Sequence, residues 1–175
     1  MKKILGLVVL GLVVWSLLGF DKAYALSATQ EAQIKVEVAS IFNMSIDQGF
    51  IDFERMKPGD VKWNLPYTAL TANCQTNRDN PWFLKISSEG DLQSGMNTIS
   101  NQNLWWYGWT EGAGTWYGQK ENTLSTTPAI VYAASAGEYS NYPTGTRNAF
   151  KFKLKIPNDA RPGIYKTTIK FTMTE

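Results

Sequence analysis

The chain reads FKFKLKI at residues 150–156 and YKTTIKFTM at residues 165–173, and these two stretches decide its fold class. In the first stretch, Phe150, Phe152 and Leu154 alternate with lysines. The second stretch repeats the pattern: its apolar side chains alternate with lysines and threonines. Because successive side chains of a β-strand point to opposite faces, this period predicts two strands, each with one buried and one wet face.

Alternation of period two extends to most of the chain after its first 25 residues. It is visible in QIKVEVASIF (33–42), TALTANCQ (68–75), WFLKI (82–86) and PAIVYAA (128–134). In the first of these segments Ile34, Val36 and Val38 share one face, which predicts a strand with an apolar side. Turn-forming pairs such as Pro58-Gly59 separate the segments. No part of this region has a convincing helical period.

These segments predict a single all-β domain over residues 26–175. About eight short antiparallel strands, joined by proline-, glycine- and asparagine-containing turns, are typical of an immunoglobulin-like or jelly-roll-like β-sandwich. The chain contains one cysteine, Cys74, so no disulfide can form within it. Cys74 lies on the same alternating face as Leu70 and Ala72, which predicts a small buried side chain rather than a reactive thiol.

The first 25 residues have the composition of an export signal. Two lysines precede an apolar run at residues 4–18, and the small-x-small tripeptide Ala23-Tyr24-Ala25 follows. This order predicts a signal peptide that is cleaved after Ala25. The protein is then secreted, to the cell surface or the periplasm of a bacterium, and meets the membrane only through the signal peptide before cleavage. The alternative is a retained anchor, because the run extended to Phe20 reaches the short edge of a membrane span.

The charge balance disfavours nucleic acid as a partner. The chain has 17 lysines and arginines against 15 aspartates and glutamates. Cleavage after Ala25 removes three of the former and one of the latter, which leaves no net charge. A protein that binds nucleic acid through its overall charge needs a basic surplus, so we expect no nucleic acid partner.

The usual sequence signatures of enzyme active sites are missing. Histidine is absent, and there is no G-x-S-x-G, H-E-x-x-H or phosphate-cradling glycine loop. Carboxylates are present, but none has a spacing that marks a catalytic pair. The sequence therefore predicts a protein that is not an enzyme and that has no cofactor and no metal site.

An aromatic stretch, LWWYGWTEGAGTWYG, occupies residues 104–118. As a strand it would place Leu104, Trp106 and Gly108 on one face and a row of aromatic side chains on the other. Three interpretations remain open: packing in the core and at the sandwich edge, a subunit interface, or a platform for sugars.

In the sugar-binding interpretation, aromatic rings stack on the apolar faces of sugar rings while polar side chains bind the hydroxyl groups. The candidate ligand-binding residues, for a glycan or an interface, are Trp105, Tyr107, Trp109, Trp116 and Tyr117. The nearby glycines would let the backbone turn sharply, so that Trp116 and Tyr117 lie beside Trp105 or Trp109. The candidate polar groups are Asn101, Gln102, Asn103, Glu111 and Gln119.

Lysines form a second candidate surface. Lys151, Lys153 and Lys155 share one strand face, and Lys166 and Lys170 would join them if residues 157–163 formed a hairpin. The resulting basic patch could bind an anionic wall polymer or lipid headgroup. The alternative is that these lysines keep a sheet face soluble and discourage pairing between sheet edges.

Two triplets of the form W-x-L occur, WNL at residues 63–65 and WFL at residues 82–84. The second lies in a predicted strand that leads to a loop with glycine and aspartate. Near the end of the sequence, IPNDARPGIYKTTIKFTM (156–173) contains a proline, a glycine and tyrosine, and an alternating closing strand. The triplet FTM stands at residues 171–173, where a final W-x-L would stand.

In these features the chain resembles the WxL family of bacterial surface domains, with Trp82 and Leu84 as the family-like motif. Its closing pattern is also similar to that of camelysin-type matrix-fibre subunits. The resemblance implies a secreted sandwich that attaches noncovalently to the cell wall.

Together these observations predict an exported, noncatalytic cell-surface protein with a structural or adhesive role. Its partners would be cell-wall polysaccharide, other copies of itself, or other surface proteins. The alternative is a carbohydrate-binding module that acts through residues 104–118.

Overall fold

The computed structural model describes Gln30, residues 32–64 and residues 69–175, so the predicted signal peptide lies outside the described residues. The chain divides after Glu37, and every described strand lies in the unit Val38–Glu175. Twelve strands, numbered β1 to β12 in chain order, are seen in the described residues, with two short 3-10 turns. Among these residues no helix is long and apolar enough to cross a bilayer.

The largest sheet has six strands and carries both of the segments singled out by their lysines and aromatic residues. Its strands are β1 (Phe42–Ile46), β2 (Val61–Trp63), β3 (Leu70–Thr76), β7 (Leu104–Thr110), β9 (Asn122–Thr123) and β11 (Thr146–Lys155). The order is β1-β3-β11-β7-β9, and β2 also pairs with β11. One side of the long strand β11 is therefore shared, with β3 along its first half and β2 along its end.

A second sheet has four strands in the order β12-β4-β10-β8. These are β12 (Ile169–Thr174), β4 (Phe83–Ser88), β10 (Ala129–Ala133) and β8 (Thr115–Trp116). A small hairpin, β5 (Leu92–Ser94) and β6 (Asn97–Ile99), makes a third sheet. All pairs are antiparallel.

The two larger sheets pack on each other around one apolar core. Fully buried core residues come from both layers: Ala72, Phe150 and Phe152 from the first, Leu84, Ile86 and Val131 from the second. The rings of Phe150 and Phe171 lie 4.8 Å apart across the layers. This confirms the predicted all-β antiparallel sandwich.

Cys74 lies in this core, as its alternation with Leu70 and Ala72 predicted. Its side chain is a free thiol, and burial raises its pKa to about 12. A thiol reacts as the thiolate, so this side chain is inert near neutral pH and serves as a small apolar residue.

The strand predicted at residues 33–42 is wrong except at its end, because β1 begins only at Phe42. Ile34, Val36 and Val38 are 95%, 80% and 77% exposed. Alternation stabilises a strand only where a ladder partner and a buried face exist, and residues 32–41 have no ladder partner among the described residues. The backbone at Ala39 and Ile41 is instead hydrogen-bonded by Asn77.

Residues 157–163 do not form the hairpin on which the five-lysine patch depended. β11 pairs with β2, β3 and β7, whereas β12 pairs with β4 in the other sheet. After β11 the chain first follows the turn before β2, where Ile156 N–H donates to Asp60 O at 2.9 Å. It then crosses to the second layer, which lets Phe171 meet Phe150 inside the core. Each strand has the predicted alternation, but its partner lies elsewhere.

Candidate functional site

The aromatic strand β7 separates its side chains cleanly into two faces. Leu104 and Trp106 point into the core and are each 3% exposed. Trp105 and Tyr107 are partly exposed on the opposite face, and Trp109 is 46% exposed. Since the second sheet covers only the inner face, the outer row of rings is left towards solvent.

The inner face of β7 is closed by close packing at Gly108. A Cβ on Gly108 would overlap the backbone carbonyl of Ala149 on the neighbouring strand. The carbonyl oxygen of Gly108 accepts a 2.9 Å hydrogen bond from Trp116 Nε1. Trp116 in turn packs edge-on against Trp106, with ring centres 6.3 Å apart. Gly108 thus permits the close approach of β7 to β11, and its carbonyl oxygen holds Trp116 against Trp106.

Lysines of β11 lie among the outward rings of its two neighbours. In the register, Lys153 is opposite both Trp105 on β7 and Trp63 on β2. Its Nζ lies 5.1 Å from the ring centre of Trp105 and 5.3 Å from that of Trp63. These are distances of cation–π interactions. Its ammonium group also forms a hydrogen-bonded ion pair with Glu121.

The same arrangement continues along the strand. Lys151 is opposite Tyr107, and its Nζ lies 5.8 Å from the ring centre of Trp109. The rings of Trp63 and Tyr107 meet edge-to-face with centres 5.0 Å apart. We call this surface the aromatic–lysine face; it consists of Trp63, Trp105, Tyr107, Trp109, Lys151 and Lys153.

An open cleft adjoins the face at its Trp105 end. It has a volume of about 550 Å³. Its lining combines one indole with amide and hydroxyl side chains: Trp105, Asn101, Gln102, Thr123, Ser125 and Thr126. Such groups can donate and accept hydrogen bonds with ligand hydroxyls beside an apolar ring.

A second cleft, of about 330 Å³, adjoins the Trp109 end. It is more strongly charged; its lining includes Trp109, Asp47, Gln48, Thr71, Glu111 and Arg147. Glu111 and Arg147 form an ion pair at 3.4 Å, with both side chains largely exposed. Because Trp105 and Trp109 are four residues apart on one strand, their backbone positions are roughly 13 Å apart at the usual strand rise.

The structure does not bring Trp116 and Tyr117 to this face, contrary to the sugar-binding prediction. The chain turns at residues 111–114 into the second sheet, where Trp116 pairs with Tyr132 of β10. The hydrogen bond from Gly114 N–H to Tyr132 Oη fixes that turn. Trp116 is packed on core rings and Tyr117 is 54% exposed on the other layer.

The predicted polar groups divide in the same way. Asn101 and Gln102 line the first cleft, and Glu111 lines the second. Asn103 donates to the backbone oxygen of Ser100 at 3.3 Å. Gln119 is exposed just beyond β8 and lines neither cleft.

The five lysines predicted as one patch do not lie together on one strand pair. Lys151, Lys153 and Lys155 lie on the outer side of β11. Lys166 forms an isolated bridge with Gln93, and Lys170 lies on β12 with an ion pair to Glu89 at 2.9 Å. The failed hairpin is the reason, because β12 joins the other layer.

The family-like motif residues Trp82 and Leu84 are both fully buried. Trp82 Nε1 donates to the backbone oxygen of Glu138 at 3.0 Å. Both residues therefore support the core. The other W-x-L triplet contributes Trp63 to the aromatic–lysine face, while Leu65 lies outside the described residues.

The position of Trp63 beside the aromatic strand was not predicted from the sequence. The lysines and the aromatic rings were predicted as two separate surfaces. The alternation in β7 and β11 does indicate which of their side chains point away from the core. The missing information was that these strands are neighbours.

A buried carboxylate lies away from this face. Glu138 is 9% exposed and accepts hydrogen bonds from the side chains of Tyr132, Ser135 and Thr146 and from the backbone N–H of Ser135. Burial alone would raise the pKa of Glu138, but these hydrogen bonds outweigh burial and lower it. The pKa of Tyr132 is raised, first by burial and then by its bond to Glu138. This cluster ties the turn at residues 135–138 to the core.

No group of three or more acidic, cysteine or histidine side chains that could hold a metal is found in the described ranges.

No family model matches the chain, and no curated protein matches it. Among solved structures, the chain is similar to a family 123 glycoside hydrolase from Clostridium perfringens, a protein described for glycolipid glycan hydrolysis. The two are 16% identical with a TM-score of 0.39, over 77% of this chain. This chain spans 24% of the length of the hydrolase chain.

Proposed function

We propose that this protein is an exported, noncatalytic surface protein of a bacterium that adheres to carbohydrate through its aromatic–lysine face. The observation that carries the proposal is the outward row of Trp105, Tyr107 and Trp109. Monomeric proteins seldom leave contiguous large apolar groups in solvent without a use for them. Aromatic rings on the outer face of a sheet offer the stacking surface that sugar rings need.

The two clefts support the same function. The first places amide and hydroxyl side chains beside Trp105, and the second places charged and amide groups beside Trp109. A small-molecule site usually consists of an apolar surface and a few polar groups that orient the ligand. With roughly 13 Å between the two tryptophans, the face suits a chain of sugars better than a single sugar.

The two carboxylates of the described residues whose pKa is shifted, Glu89 and Glu138, do not suit general acid catalysis. A general acid needs a raised pKa, whereas the pKa values of Glu89 and Glu138 are both lowered. Glu138 is buried among its hydrogen-bond partners and lines neither cleft. Cell-wall polysaccharide is the partner that best fits the export signal predicted at residues 1–25.

Co-sedimentation of the purified protein with cell-wall sacculi tests the proposal. We expect the wild type to pellet with the sacculi and a Trp105→Ala/Trp109→Ala variant to remain in solution. Tyr117→Ala is the matched control, since Tyr117 is also an exposed aromatic residue but lies on the other layer. Equal pelleting of all three proteins would refute the role of the face.

Self-association is a second candidate, favoured by the exposed segment at residues 34–38. Its apolar side chains alternate as in a strand but lack a ladder partner in the described structure. Segments of this kind pair with free sheet edges. Sedimentation velocity over a range of concentrations tests it: a Val36→Lys variant should remain monomeric where the wild type forms oligomers.

A further inference from the structure

Among the described residues, two of the four cations on the outer side of β11 have no carboxylate partner. The cations on the outer side of β11 are Arg147, Lys151, Lys153 and Lys155. Glu111 pairs with Arg147 and Glu121 pairs with Lys153. Within the described ranges, Lys151 and Lys155 have no carboxylate at ion-pair distance. A neutral sugar would leave these two charges without a use.

Lys151 lies in the middle of the row of rings. It is opposite Tyr107 in the register, and its ammonium lies 5.8 Å from the ring centre of Trp109. Lys153 differs, because its side chain is 18% exposed and its ammonium is already paired with Glu121. Lys153 holds Trp63 and Trp105 in place, and Lys151 is the cation available to a ligand.

We infer that the aromatic–lysine face takes an acidic polysaccharide whose sugar rings carry carboxylates, that is, a polymer of the uronic-acid class. This inference rests on the proposed function and names the ligand of the same face. Rings and ammonium groups alternate within 5–6 Å of each other. A ligand that uses both needs an apolar ring face and a negative charge in the same repeating unit, and a uronic acid has both.

Two other anionic polymers fit less well. A chain of polyol phosphates has charge but no ring to stack on the indoles. A single-stranded nucleic acid has rings and charge, but proteins that bind it follow its backbone with a continuous basic groove. Two unpaired lysines do not make such a groove.

The experiment is calorimetric titration of the purified protein with two uronic-acid polymers, polygalacturonate and alginate, and with their neutral esters. We expect at least one acidic polymer to bind about tenfold tighter than its ester, with the preference weakening as salt is added. Lys151→Gln should remove about a factor of ten from the affinity for the acid, the size of one hydrogen bond to a charged group. It should lower the affinity for the ester much less, because the ester has no carboxylate for the ammonium to bind.

Lys166→Gln is the matched control, because it removes an equal charge from an exposed lysine away from the face. Equal affinity for acid and ester, or binding to sacculi without binding to either uronic-acid polymer, would overturn the inference and leave the proposed function intact. Equally tight binding of poly(glycerol phosphate) or oligodeoxythymidylate would overturn the ligand class. If the wild-type protein binds none of these polymers and no sacculi, the proposed function is refuted as well.

Discussion

Lys153 of β11 lies directly opposite Trp105 of β7, with its ammonium nitrogen 5.1 Å from the centre of the indole ring. Trp63 approaches the same ammonium from the other side at 5.3 Å. This lysine thus joins three neighbouring strands on the outer face of the sandwich. The pairing turns two separate sequence features, a lysine strand and an aromatic strand, into one surface.

Lys153 should stabilise the fold more than Lys151 does. Lys153→Met removes a cation that contacts two rings and Glu121, and we expect a loss of about 0.5–2 kcal/mol in the free energy of unfolding. Lys151→Met removes a cation near one ring, so its loss should be smaller. Urea denaturation of both variants measures the difference. Equal losses would show that the double indole contact contributes nothing.

The two faces of β7 should respond differently to truncation. Trp106→Ala opens a cavity in the core and should cost about 3–5 kcal/mol of stability. Trp109→Ala removes a side chain that is 46% exposed, and surface changes of this kind usually cost less than about 1 kcal/mol. Thermal or urea denaturation gives both values. A cost for Trp109→Ala as large as that for Trp106→Ala would mean that the outer row is structural.

Gly108 should not tolerate a side chain. A Cβ at this position overlaps the carbonyl oxygen of Ala149, so Gly108→Ala must push β7 away from β11. Overpacking of this kind costs about 1–3 kcal/mol. Gly137→Ala is the control, because a Cβ there meets nothing within 4 Å. Comparable denaturation midpoints for the two variants would contradict the tight approach of the strands.

Acid should weaken the fold through Glu138. The pKa of Glu138 is lowered in the folded state, so its carboxylate stabilises the protein above the pKa of an unfolded glutamate. That stabilisation is lost as the pH falls through the lowered folded-state pKa. Glu138→Gln should be less stable at neutral pH by about 1–3 kcal/mol and should show a shallower loss on acidification. An unchanged pH profile of urea denaturation would exclude this role.

The faces of the strands were predictable from the sequence, and their partners were not. Alternation at Phe150, Phe152 and Leu154 fixes which side chains are buried, because the period of a strand is two. The same period holds whichever strand lies alongside. The pairing of β12 with β4, and of Lys153 with both Trp63 and Trp105, depends on contacts far apart in the sequence.

At residues 33–42 the sequence predicted a strand that forms only at its last residue. Ile34, Val36 and Val38 have the pattern of a strand, yet they are exposed and form none in the structure. A pattern predicts what a segment would bury if a partner were present, but it does not supply the partner. The signal peptide at residues 1–25 stays a prediction, since it lies outside the described residues.

The most direct test of carbohydrate binding at the aromatic–lysine face is a nitrogen–proton NMR spectrum of the indole Nε1–H groups during addition of soluble cell-wall polysaccharide. If this face binds the polysaccharide, the signals of Trp105 and Trp109 shift progressively, with a smaller shift for Trp63. The signals of Trp82, Trp106 and Trp116, which lie against the core, should stay in place. Shifts confined to those three core residues, or unchanged signals from the outer tryptophans at saturating ligand, would contradict it.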